Sequence, residues 1–454
     1  MNTWIRAGRF RHYTETVIWL IPVAYLALAL ILGVGLPRLD RAIGDAVPAE
    51  FGVGAAQAVL TAFSTGLITV MGFIISVLIA GITFSGTTVT PRMVREMQRN
   101  TVIRHVFGLL LMSVVYAFLV LNRVAPPSDP NYVPDLAVWV IVPLLVIDVV
   151  GLLALVREMG HSLRLVEIID SIHRRAEQVI ATMYREELGA EMATPEVERL
   201  DAPAVTLANR EHSGVVASLD VERLVAEATR LNTRFELACA IGSYVPTGEP
   251  LLHIAEQPPG LDEHRLRRAI VIADERTIDQ DPLYALRLLV DIAARALSPA
   301  VNDPTTAVQA LDRIESLLAL LANRRLDRGT LRDERGTVRL VVPLPGWEDF
   351  LAVGLTEIRQ YGATSTQVAR RLRAVLEDLC RLAPAGRRPA LEQQLVLLDQ
   401  AVARAYPDPA ERDLALVADH HGLGEPATSR DRHQRPDDAA ATEPSIGRSR
   451  TETR

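Results

Sequence analysis

From Phe51 to Pro91 the chain carries no charged residue at all. A run of that length holds too few polar groups to solvate a surface, and its backbone is self-sufficient in hydrocarbon only as a helix. A helix from about residue 55 to 84 would cross a hydrocarbon core of ~30 Å and project beyond it. Three further apolar runs match this one. Val17 to Leu36 is free of charge, Val106 to Asn122 is bounded by Arg104 and Arg123, and Leu136 to Val156 contains a single acid, Asp148. The expectation is an α-helical membrane protein with four transmembrane helices at 17–36, 55–84, 106–122 and 136–156, filling residues 1–156. Arg6, Arg9 and Arg11 precede the first run as they would in a secretory signal, but its apolar stretch is too long for one, so it reads as a retained span.

Arginines near the ends of the spans set the orientation. Arg6, Arg9, Arg11, Arg92, Arg95, Arg99, Arg104, Arg157 and Arg164 fall on one side, against Arg38, Arg41 and Arg123 on the other. The imbalance places both termini in the cytoplasm of a bacterial cell, with the protein in its inner membrane. The loops on the other side agree, because 37–50 is slightly acidic and 125–134 is proline-rich.

The remainder of the chain is polar. Its 454 residues are 49% hydrophobic, with 48 basic and 55 acidic side chains and a net charge of -7. The mean hydropathy of +0.17 is therefore the average of two unlike portions. The acidic balance argues against a nucleic-acid partner. The two cysteines, Cys239 and Cys380, have neither disulfide nor metal-ligand spacing. Every basic residue is arginine, so Schiff-base and Walker-type lysines are out of consideration.

Polar residues inside the spans are the first candidates for a site. Thr65, Thr69, Ser76 and Thr83 share one face of the second helix, with Gly66 and Gly72 nearby. Such a stripe either lines a pore or packs closely against another helix. Asp148 lies nine residues before Arg157, hence ~13 Å inside the boundary, where an acid faces either a partner or a water-filled path. A protonated carboxyl bonded to a neighbouring hydroxyl is the alternative.

Beyond the spans, 157–190 reads as an amphipathic stalk helix, with Leu163, Val166, Ile169, Ile172, Ala176, Val179 and Met183 on one stripe. Residues 203–260 form a small β-rich unit: a strand over 213–220, a helix from Val221 capped by Asp220, and a strand over 234–240. Residues 261–405 are expected to be a helical bundle interrupted by a strand pair near 330–343. The tail over 420–454 has almost no large apolar residue and is expected to be disordered.

The densest polar stretch gives a second candidate. Glu275, Arg276, Asp279 and Asp281 precede a helix on which Arg287, Asp291 and Arg295 recur every four residues, and Asn302 and Asp303 follow it. Read functionally, Asp279, Asp281, Asn302 and Asp303 surround a divalent ion or an anionic ligand. Read structurally, they are caps, turn formers and ion pairs, with Asp303 at an N-cap and Pro304 in the first turn.

Two resemblances follow from these residues. The Gly242 and Gly248 turns resemble those of biotinyl, lipoyl and efflux-adaptor barrel-sandwich domains, which implies a barrel-sandwich-like β element in a cytoplasmic α+β domain; the carrier lysine has no counterpart. More specifically, Glu275-Arg-Thr-Ile-Asp-Gln-Asp281, the run from Leu286 to Val308 containing Leu-Ser-Pro-Ala-Val-Asn-Asp-Pro304, Leu311-Asp-Arg313, Ile358-Arg-Gln-Tyr-Gly-Ala363 and Gly72-Phe-Ile-Ile-Ser-Val77 resemble the bacterial membrane family catalogued as domain of unknown function 2254. That resemblance covers residues 10 to 405 and implies four spans with a cytoplasmic domain, with no catalytic residue to carry over.

These features point to a homo-oligomeric channel-like conduit gated by its cytoplasmic domain, or to a membrane-anchored sensor or scaffold whose domain binds a ligand or protein. No nucleophile elbow, HExxH or phosphate loop suggests an enzyme, and neither a cofactor nor a metal is expected.

Overall fold

A computed structural model describes residues 20–43, 51–88, 101–162, 165–188, 200, 203–326 and 329–424. Four helices in it are long and apolar enough to span a membrane, over Ile21–Ile43, Val53–Val77, Val102–Leu121 and Asp135–Arg157. They belong to α1 (Leu20–Ile43), α2 (Val53–Thr88), α3 (Thr101–Leu121) and the pair α4 (Asp135–Trp139) and α5 (Ile141–Ser162). The fourth span breaks after Trp139 because Pro143 has no N–H to return to the Trp139 carbonyl. The arginines at positions 6, 9, 11, 92, 95, 99 and 164 lie outside the described residues.

The bundle is organised around α3, which packs against α1, α2 and α5. Its buried side chains include Leu110, Met112, Tyr116, Ala117 and Val120, and the Tyr116 hydroxyl donates to the Ala137 carbonyl (2.7 Å) beside the break in the fourth span. The outer surface is correspondingly apolar: Leu30, Ile31, Ile68, Phe73, Phe118, Val146, Val150 and Leu153 are all exposed, as a hydrocarbon solvent requires. Helix α1 runs past Leu36 and through Pro37. Its last turn is tied down from outside the span, where the Tyr132 hydroxyl lies 3.0 Å from the Pro37 carbonyl and Asp40 accepts from the Leu136 N–H (3.0 Å).

The rest of the described chain is a mixed helical and sheet domain. Helix α6 (Leu165–Met183) is followed by β1 (Val205–Ala208), β2 (Gly214–Leu219), α7 (Val221–Arg230), β3 (Phe235–Leu237), β4 (Tyr244–Val245), β5 (Pro250–Ile254), α8 (Glu263–Arg267) and β6 (Ile270–Ala273). Then come α9 (Pro282–Ala296), α10 (Pro304–Ala322), the hairpin β7 (Thr330–Arg332) and β8 (Val338–Val341), and α11 (Trp347–Gly362), α12 (Thr366–Leu382), α13 (Arg388–Ala405) and α14 (Pro409–Ala415). The strands form a five-stranded sheet ordered β1-β5-β3-β8-β7 and a three-stranded sheet ordered β4-β2-β6. Every pairing is antiparallel except β3 with β8.

Two sequence expectations change here. The parallel pairing of Phe235 with Leu340 and of Glu236 with Val341 puts strands from 203–260 and from 330–343 in one sheet, so a boundary near residue 260 does not divide the core. One apolar core extends from Ile169 to Ala415, and Ile169, Ile172, Ala176, Ile180 and Met183 of α6 are buried in it against α9 and α10, so this helix is a wall of the domain. Residues Leu163 and Arg164 lie outside the described residues, and Val166 on the expected stripe is exposed. The tail expectation also shifts, since 420–424 is folded onto the domain. The Asp419 carboxylate accepts from the N–H groups of His421, Gly422 and Gly424, and Gln367 donates to the Gly422 carbonyl (2.7 Å). Residues 425–454 lie outside the described residues.

Candidate functional site

The buried face of α2 is Ala56, Leu60, Leu67 and Ile74, turned toward α3. At ~100° per residue, Thr65, Thr69, Gly72 and Ser76 lie on the opposite side, and all four are exposed. Ala58 and Ala62 extend this stripe of small side chains, and Ile68, Ile75 and Phe73 stand on its two sides. The Thr69 and Ser76 hydroxyls donate to the carbonyls of Thr65 and Gly72 (both 2.9 Å), which satisfies them in an apolar medium. Thr83 is on the same helix, with its side chain outside the described residues.

Asp148 does not join this stripe. It is only 2% exposed and points into the bundle, beside the Ser113 hydroxyl of α3, which is fully buried. No bond of ordinary geometry reaches either carboxylate oxygen among the described residues. Within one copy the stripe faces away from the bundle and Asp148 faces into it, so a single path lined by both is not what the fold builds.

The polar residues of the mixed domain likewise separate into three places. At the start of α9, Asp281 is the N-cap and accepts from the Tyr284 N–H (3.0 Å). Burial pushes its carboxyl up to about 6, with the exposed Arg276 acting in the opposite direction. Gln280 pins this loop to β2 through both backbone groups of Leu219 (2.8 and 3.1 Å), and Asp279 pairs with Arg175 of α6 (3.4 Å). Glu275 and Arg276 remain at the surface. Along α9, Arg287 pairs with Asp291 (2.6 Å) and, through both terminal nitrogens, with Glu357 of α11; Arg295 follows a turn after Asp291. At the far end, Asn302 adopts a left-handed conformation (φ 49°) and Asp303 caps α10 through the Thr306 N–H (3.1 Å).

The expectation that Asp279, Asp281, Asn302 and Asp303 surround one ion is therefore corrected. The 15 residues of α9 stand between the two pairs, a separation of about 22 Å at ~1.5 Å per residue. Among the described residues no group of three or more His, Cys, Asp or Glu side chains could hold a metal ion. Both cysteines are free and partly buried, and burial pushes the Cys239 thiol up to about 11, so it is protonated at neutral pH.

Two cavities in the domain were not anticipated. One of about 660 Å³ is lined by Arg223, Glu227, Asp262, His264, Arg265 and Arg268, and both of its carboxylates are paired with Arg265. Glu227 takes Arg230 (2.5 Å) and Arg265 (3.1 Å), which hold its carboxyl below the usual range, while Asp262 caps α8. The second, of about 320 Å³, lies between the C-terminal ends of α11 and α13 and is lined by the side chains of Arg359 and Arg404. Sequence reading missed it because an arginine in the last turn of a helix is ordinarily a solvated partner of the helix dipole.

Comparison with known proteins agrees with this architecture. The uncharacterized proteins Rv1290c of Mycobacterium tuberculosis (strain ATCC 25618 / H37Rv) and Mb1321c of Mycobacterium bovis are each 28% identical to the chain over 417 residues, which is 89% of this chain and 80% of theirs. No solved structure matches it. A family model matches residues 15–378, spanning all four long apolar helices and most of the mixed domain, and the chain belongs to that family, described as predicted membrane protein, DUF2254.

Proposed function

We propose that this membrane protein works as a homo-oligomeric, channel-like conduit of the bacterial inner membrane, with both termini and the mixed domain on the cytoplasmic side and without catalysis of its own. The observation that carries this reading is the stripe on α2. Its small and hydroxylated residues face away from α3, the one helix that α2 packs closely against among the described residues. A path lined by this face is complete only when several copies place their second helices together, and small residues of this kind permit that approach. The 36 residues of α2 extend about 54 Å at ~1.5 Å per residue, enough to leave the hydrocarbon on one side.

The test uses the full chain with Cys239 and Cys380 replaced by alanine. Single cysteines at Thr69 or Ser76 are expected to cross-link neighbouring copies in liposomes, while cysteines at Leu60 or Leu67 are not. Ion flux from those liposomes is expected to fall when Thr69 becomes Trp. Cross-linking without measurable flux of any ion tried removes the conduit and leaves an assembled anchor. A second reading, a membrane-anchored sensor, is supported by the cavity at Arg359, and it joins the first if occupation of that cavity gates the assembly.

A further inference from the structure

The chain pairs its buried guanidinium groups with care. Arg339 meets Asp333 (2.7 Å), Arg371 meets Asp312 (2.7 Å) and Glu315, Arg325 pairs with Glu186 (3.9 Å), and Arg370 donates to the Val417 carbonyl (3.1 Å). Arg359 is the exception. It is 9% exposed, its Nε has no hydrogen-bond partner, and among the described residues no carboxylate pairs with it. The charge that acts on it is a second guanidinium, Arg404, which together with burial makes its proton easier to lose. An unpaired buried charge is costly, and placing a like charge beside it adds to the cost. Both arginines sit in the last turns of their helices, where the dipole favours a cation. That effect supplies no acceptor for Nε and is weaker than a charge pair.

The surroundings of the two arginines suit an anion. The cavity is about 320 Å³, within the range of small-molecule sites. Its rim holds the exposed Gln360 and Thr364, which can donate through amide and hydroxyl, and its apolar floor includes Ala363 and Ala401. The backbone beneath is fixed, because the Tyr406 hydroxyl donates to the Thr364 carbonyl (2.8 Å) and because Gly362 lies so close to α12 that a Cβ there would stand 2.5 Å from Val368. The segment Ile358-Arg-Gln-Tyr-Gly-Ala363 thus divides into Ile358 and Gly362, which seat the helix end, and Arg359, Gln360 and Ala363, which face the cavity.

We infer that the cleft between the ends of α11 and α13 is a binding site for a phosphate group, held by Arg359 from within and Arg404 from the rim. Two guanidinium forks can each present paired N–H donors to a tetrahedral oxyanion, and such a ligand would neutralise the repulsion between them. The group comes either from a free phosphate ester or from a lipid headgroup.

The experiment uses the full chain in lipid-free maltoside micelles, with inorganic phosphate titrated at constant chloride and thermal unfolding as the readout. Saturable stabilisation is expected, lost at least tenfold in apparent affinity in Arg404→Ala, whose side chain is exposed and whose removal threatens no core contact. Arg359→Met is expected to abolish the effect while leaving the ligand-free protein at least as stable as the parent, because an uncompensated charge has been removed. A structural arginine would instead destabilise on loss. A second arm compares nanodiscs of phosphatidylcholine with nanodiscs of phosphatidylglycerol. Stabilisation by phosphatidylglycerol that depends on Arg404, with inorganic phosphate weak, identifies a headgroup as the source; the reverse identifies a soluble ester. Absence of stabilisation in both arms overturns the site, as does stabilisation that Arg404→Ala and Arg359→Met leave intact.

Discussion

Replacing Asp281 with asparagine is expected to stabilise the domain at alkaline pH and to leave it nearly unchanged in acid. Burial lifts the Asp281 carboxyl from 3.8 to about 6, so the folded chain holds this proton more tightly than the unfolded chain does. Below about pH 3 both states are protonated and the group contributes nothing to the difference between them. As pH rises from about 4 to about 6 the unfolded chain loses the proton first, and stability falls; above about 6 the buried carboxylate imposes its full cost. A difference of about two pKa units corresponds to about 3 kcal/mol. Asparagine keeps the oxygen that accepts from Tyr284, and asparagine and aspartate are near-equal N-caps, so the capping loss is a few tenths of a kcal/mol at most. Urea unfolding of the full chain in neutral micelles, followed through the buried Trp347, measures the result. With a urea dependence of about 3 kcal/mol per M, the midpoint of Asp281→Asn should exceed the parent's by about 1 M at pH 8 and match it near pH 3. A variant less stable than the parent at pH 8 would refute the reasoning, because it would mean that the ionised carboxyl gains more from Arg276 than it loses to burial.

Three further outcomes follow from particular contacts. Gly242→Ala should cost about 2 to 4 kcal/mol in urea unfolding, because Gly242 has φ +84° and a Cβ there would meet the Asp281 carboxylate at 2.3 Å, displacing the cap of α9. Arg371→Met should cost about 2 kcal/mol by the same assay, since it strands Asp312 and Glu315 on α10; Asp312 is partly exposed, which keeps the loss below that of a fully buried pair, and a triple variant that also neutralises both acids should recover most of it. Tyr116→Phe should lower thermal stability in nanodiscs by about 1 kcal/mol, because the Ala137 carbonyl loses its donor inside the bundle.

The membrane half of the fold was legible because hydrocarbon excludes charge so strictly that Phe51–Pro91 and its companion runs declare themselves. The caps were legible for a related reason: Asp220, Asp281 and Asp303 each precede a helix whose first free N–H groups need an acceptor, and each was found accepting from the third residue beyond it. What could not be read was anything that depends on contacts across long separations. The β3–β8 pairing brings together residues about a hundred apart, and three-residue β3 carries no signal of a parallel neighbour. The Asp279–Asp303 stretch looked like one cluster because its polar residues are close along the chain, yet the helix between them is a rod that holds them apart. Arg359 was legible as a residue and illegible as a site, since its burial depends on α13, whose Ala401 closes the cavity 42 positions later.

Two buried ionisable groups with side-chain atoms that lack a hydrogen-bond partner among the described residues, Asp148 and Arg359, fall one in each half, and their surroundings separate what each can do. Asp148 lies beside the buried Ser113 hydroxyl inside the bundle, and a carboxyl is a group that can shed its charge by taking up a proton. Arg359 has no such escape, because a guanidinium keeps its proton at any physiological pH and Arg404 beside it only raises the cost of holding two charges. The first group can be a passive element of helix packing. The second is relieved when something negative enters from outside, so the free and occupied cleft differ in free energy. A difference of that kind is what a ligand must have if it is to bias a membrane assembly, since a ligand shifts a two-state equilibrium only by its differential affinity for the two states. The cleft ties α11 to α13, and α11 is in turn clamped to α9 by Arg287 and Glu357 and packed with α10. Occupation of the cleft therefore acts on helices that contact α6, the element that leads back to the fourth span.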